Sequence, residues 1–89
     1  MSTSILVTYA SRYGSTKEVA EVVAATLREQ GLTVELLPMR QVTALADYAA
    51  VVLGAPLYIG SWQKDAQKFL TQHREALTQR PVAIFTLGP

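Results

Sequence analysis

The chain has 89 residues, 49% of them hydrophobic and 17% charged, with a net charge of +1 and no cysteine. A chain this short holds one domain at most, and without thiols it makes no disulfide, thiolate metal site or cysteine nucleophile. Charges of both signs are scattered, so there is no basic face for nucleic acid and no polybasic run for an anionic membrane, and no apolar run nears the roughly 20 residues of a membrane helix. A cytoplasmic protein is the expectation. A domain near this size buries only about 60% of its unfolded surface, and this composition reads as a core without its full cover.

Residues 5–9, ILVTY, begin with an unbroken, β-branched-rich run of the kind that fills a strand buried on both faces of a parallel sheet. Residues 10–16 are small, hydroxyl-rich and centred on Gly14, with the loop itself over 10–14, and the apolar period then changes to helical spacing. Ser15 followed by Glu18 fits a capping box and sets a first helix over about 16–30, with Val19, Ala20, Val23 and Leu27 on one stripe and Gly31 placed to end it in the left-handed conformation. Residues 32–37 read as a second strand, with Val34 and Leu36 on one side, stopped by Pro38. The stretch 39–48 is ambiguous, with one or two helical turns around Val42, Leu45 and Ala46. The apolar run 49–55, AAVVLGA, predicts a central third strand ended by Pro56.

A second loop, 57–62, is rich in glycine and aromatics. The spacing of Ala66, Phe69, Leu70, His73 and Leu77 then predicts one helix over about 63–78, and residues 82–87, VAIFTL, give a fourth strand. The order β-α-β-(α)-β-α-β requires crossover connections and a parallel sheet. There are no internal repeats, linkers or low-complexity tracts.

A strand, a hydroxyl and glycine loop and a helix start, in that order, make a place for an anion. The first N–H groups of the helix lack intrahelical partners, and the helix dipole puts partial positive charge at the loop. Ser11, Tyr13, Gly14, Ser15 and Thr16 therefore have two readings, a cradle for a phosphate or an ordinary helix entrance whose groups satisfy one another. Arg12, in the same loop, either joins that cradle or faces solvent. His73 is the sole histidine, but its place well along a helix points to packing rather than acid–base chemistry. No catalytic triad, metal cluster or Gly-Lys nucleotide loop is present in the sequence. A phosphate-receiving signalling domain would need acidic residues after the first and third strands to hold Mg²⁺; Tyr9, Ala10 and Ser11, with Gly54, Ala55 and Pro56, stand there instead.

With TYASRYGST at residues 8–16 and VVLGAPLYIGSW at residues 51–62, the chain resembles the flavodoxin-like FMN-binding family. ASRYGST, LGAPLYIGSW and DAQKFLTQHREAL at residues 65–77 look most similar to the flavodoxin-domain proteins related to quinone-linked protoporphyrinogen oxidases. The resemblance covers essentially the whole chain. It implies an α/β flavodoxin-like three-layer parallel sheet of strand order 2-1-3-4, with FMN at the carboxyl ends of the strands. It assigns the FMN phosphate to residues 11–16, and the flavin ring to Pro56, Leu57, Tyr58, Ile59 and Gly60, with Trp62 either beside the ring or a core anchor. Gly88 opens the family's third flavin loop. The family continues past that loop, so residues 1–89 read as the N-terminal part of one domain, with a fifth strand and the last two helices missing. The function implied is an FMN-binding redox domain, an electron carrier or a quinone-linked oxidoreductase. The alternative is a flavin-free half-domain that self-associates through the edge of its fourth strand and an uncovered sheet face, as a homo-oligomer or a segment-swapped dimer.

Overall fold

The computed structural model describes residues 4–10, 15–58, 61–62 and 64–87, and the side chains of residues 4–10, 16–54 and 67–85. The elements in chain order are β1 (Ile5–Tyr9), α1 (Ser15–Glu29), β2 (Val34–Pro38), a 3₁₀ turn (Met39–Gln41), β3 (Ala50–Tyr58), β4 (Ser61–Trp62), α2 (Lys64–Gln72), α3 (Arg74–Thr78) and β5 (Val82–Leu87). The four long strands are parallel in the order β2-β1-β3-β5, the 2-1-3-4 arrangement expected.

Alternation along the central strands divides the core in two. Leu6 of β1 and Val51 and Leu53 of β3 join Met39, Val42, Leu45 and Phe69 on one face. Val7 and Tyr9 join Ala20 and Ala24 of α1 on the other, with Val23, Leu27 and Val52 packed alongside. The result is three layers with the sheet in the middle. Gly31, at φ 87°, ends α1: its N–H bonds to the Arg28 carbonyl and the Leu32 N–H to the Leu27 carbonyl, the paired bonds of a left-handed helix stop.

Three expectations need correction. Pro56 does not end β3, which runs on to Tyr58. The Gly54 carbonyl accepts from Ala10 N–H on the β1 side, whereas the Val51 N–H points to Pro81 on the β5 side, so even-numbered residues of β3 face β1. A proline at 56 therefore lacks its N–H where β1 has already ended, while the ladder to β5 continues through Pro56 and Leu87. Residues 57–62 are not all loop, because Leu57 pairs with Trp62 and Tyr58 with Ser61 in an antiparallel hairpin. The helix expected over 63–78 is two helices, broken at His73, where φ is −111° and ψ 19°. Bonds from His73 N–H to Phe69 and from Leu77 N–H to His73 run on either side of the break, so the apolar spacing carries through it.

Candidate functional site

Strand order and register bring the two loops singled out in the sequence to one edge of the sheet. Tyr9 lies opposite Gly54, and the Ala10 N–H donates to the Gly54 carbonyl at 2.9 Å, tying the end of β1 to the middle of β3. Beyond that tie β3 carries Pro56, Leu57 and Tyr58 past the end of β1. The hairpin folds Trp62 back beside Leu57 at this edge.

On the other side of the tie stands the start of α1. Ser15 is its first residue, one position before the start expected from the capping pattern. Thr16 follows at 1% exposure, and its Oγ1 has no hydrogen-bond partner among the described residues. A buried hydroxyl without a partner costs about 1–3 kcal/mol, and this one stands in the first turn of a helix whose N–H groups also lack intrahelical partners. A tetrahedral anion with several acceptor oxygens supplies what both groups lack. The other groups of both readings, at residues 11–15, lie in the loop before α1 and in the side chain of Ser15. Ser11, Arg12, Tyr13, Gly14, Ile59, Gly60 and Gly88 lie outside the described residues, as do the side chains of Ser15, Pro56, Leu57, Tyr58 and Trp62.

Thr8, on β1, is also fully buried with an unpartnered Oγ1, which the sequence did not single out. The only signal was a hydroxyl inside an otherwise apolar strand. Gly54 has a second role that the sequence leaves unmarked. Phe85, opposite it on β5, lays its ring over the glycine, and a Cβ there would come within 2.1 Å of the ring. His73 is half-buried, its ring 4.6 Å from that of Phe69 and tilted by 44°, a packing role away from the strand ends. No helix among the described residues is long and apolar enough to cross a membrane.

Comparison with known proteins matches residues 6–89 to the model of the flavodoxin domain family. The chain belongs to that family. Among curated relatives, this flavodoxin domain is 26% identical over 85 residues to the protoporphyrinogen IX dehydrogenase [quinone] of Escherichia coli (strain K12), a match covering 93% of this chain and 47% of the relative. The chain thus spans about half the length of the curated relatives it matches. The crystal structure of oxidised flavodoxin 2 from Bacillus cereus superposes with a TM-score of 0.85 at 28% identity, over 97% of this chain and 62% of that one. Fusobacterium nucleatum flavodoxin bound to flavin mononucleotide superposes with a TM-score of 0.79 at 18% identity, over 96% of this chain and 52% of that one, a likeness of fold. The order of the long strands in this flavodoxin domain agrees with those neighbours.

Proposed function

We propose that this flavodoxin domain is part of an FMN-binding redox protein. The observation that carries the reading is the buried, unpartnered Thr16 hydroxyl in the first turn of α1, at the strand ends where ligands of open α/β sheets bind. Thr16 and the backbone N–H groups at the start of α1 would hold the phosphate, with Ser11, Arg12, Tyr13, Gly14 and Ser15 completing the loop. The segment from Pro56 to Trp62, together with Gly88, would border the ring. FMN, when bound, supplies the redox chemistry, the transfer of electrons or hydride. This chain's part is to bind and orient: the helix end and the Thr16 hydroxyl neutralise and hold the anion, and the β3–β4 hairpin gives the site a wall. No side chain needs to act as a general acid or base for that work.

The similarity to a quinone-linked dehydrogenase supports quinone-linked oxidoreduction related to protoporphyrinogen oxidation as the finer activity, with electron carriage as its neighbour. We extend the proposal to a cytoplasmic location. Titration of the protein with FMN, followed by flavin fluorescence, tests the reading: saturable quenching at a one-to-one ratio is expected, and fluorescence that stays unquenched at micromolar protein would overturn it.

A second reading rests on β5. This strand pairs with β3 on one side only among the described residues, and it leaves Val82 37% and Ile84 55% exposed. An open edge bearing exposed β-branched residues is a template for another strand. We propose a second copy of this chain as its occupant, by edge pairing or segment exchange, and sedimentation equilibrium over a range of concentrations reads it as a monomer–dimer transition. A single monomeric species at all concentrations rules it out.

A further inference from the structure

The 3₁₀ turn after β2 and the middle of α2 enclose a cleft of about 560 Å³, within the roughly 300–1,000 Å³ typical of small-molecule sites. Because the turn follows directly from β2, the cleft lies toward the β2 edge of the sheet, opposite the β5 edge. Its floor is apolar: Met39, Val42 and Phe69 are all buried in the core of this face. Its rim carries Arg40 and Lys68, with His73 beside Phe69. Both cations are exposed, neither makes an ion pair among the described residues, and no carboxylate is among the described residues lining the cleft.

We propose that this cleft binds a small organic acid, a carboxylate carried on an aromatic or other apolar body. The two rim cations select the charge, since a carboxylate gains charge-assisted hydrogen bonds from guanidinium and ammonium groups and meets no acidic neighbour among the described lining residues. The floor selects the body. Met39, Val42 and Phe69 are only 4%, 8% and 2% exposed, so they close the bottom of the cleft as a narrow apolar strip that meets the edge of an apolar group. A free inorganic anion would leave that floor wet, and a neutral hydrocarbon would leave the cations without a counter-ion.

The test is an NMR titration of the ¹⁵N-labelled chain with naphthalene-2-carboxylate, with naphthalene-2-carboxamide and acetate in parallel. The carboxylate should give saturable shifts at the amides of Val42, Phe69 and His73, and bind at least five-fold more tightly than either control. Arg40→Ala with Lys68→Ala, both changes at exposed positions, should weaken the carboxylate at least five-fold and leave the carboxamide unchanged. Lys68→Gln, which keeps the stem and removes the charge, should give part of that loss. Equal binding of the carboxamide would reduce the cleft to a non-selective apolar hollow, and equal binding of acetate would reduce it to surface charge; either overturns the proposal. So do shifts centred on β5 or on the strand ends, or no saturable shift. No flavin enters the experiment, so its outcome is independent of the FMN reading.

Discussion

The two faces of the sheet are built by different means. On one, α1 lays Ala20 and Ala24, one turn apart and both fully buried, against Val7 and Tyr9, and its end is closed by Gly31. On the other, a 3₁₀ turn, an irregular stretch and two short helices broken at His73 share the covering, held by Met39, Val42, Leu45 and Phe69. A regular helix satisfies its own backbone, so its side chains need only pack. Irregular chain must find partners elsewhere. Here Arg80 reaches across to donate to the Leu45 carbonyl, and the Tyr48 hydroxyl donates to Glu35 on β2 at 2.7 Å. The irregular face therefore rests on large side chains drawn from several separate segments, and the cleft lies between two of those segments.

The largest effect should come from removing an anchor of that face. Phe69→Ala should cost about 3–5 kcal/mol in urea unfolding, against about 1 kcal/mol for the half-buried Val23→Ala on the α1 face. Equal costs would remove the asymmetry. Next in size, Gly31→Ala should cost about 1–2 kcal/mol, because an alanine side chain at φ 87° is strained although nothing lies within 4 Å of its Cβ. A neutral result would mean that α1 ends elsewhere in solution.

A smaller effect sharpens the picture of the Tyr48 tether. Burial first, then the hydrogen bond to Glu35 and the charges of Glu35 and Asp47, push the Tyr48 phenol from 10.0 up to about 12. The folded state thus holds this proton longer than the unfolded one. Below pH 10 both states are protonated and the contribution is whole; between 10 and 12 the unfolded chain ionises first and that contribution is lost. Tyr48→Phe should remove a phenol transition at about 12 from an ultraviolet titration and flatten the alkaline loss of stability over that window. An unchanged titration would show that the tether is not formed.

The same contrast explains what the sequence made legible. Apolar, β-branched-rich runs mark β1 and β5 at their observed limits; β1 is buried between two neighbours, whereas β5 keeps the same composition although Val82 and Ile84 are exposed. Residues 39–48 carry no clear period, since their conformation is set by Arg80 and Glu35, the latter reached through Tyr48, far away in sequence. Pro56 misled because proline breaks a ladder only where its N–H faces a neighbour, and that depends on where β1 stops. The phosphate reading of Thr16 was visible as a hydroxyl at a helix start, but its burial without a partner required the fold. Thr8 and the ring of Phe85 over Gly54 depend on register, which no local pattern encodes.

The central claim is that the Thr16 hydroxyl answers the phosphate of FMN, and a comparison of FMN with riboflavin on the native chain and on Thr16→Val tests it most directly. Valine keeps the shape and removes the unsatisfied hydroxyl, so it should lower FMN affinity at least ten-fold while leaving riboflavin binding unchanged and raising the unfolding midpoint of the flavin-free chain. Undiminished FMN binding by Thr16→Val, or equal losses for FMN and riboflavin, would contradict the account.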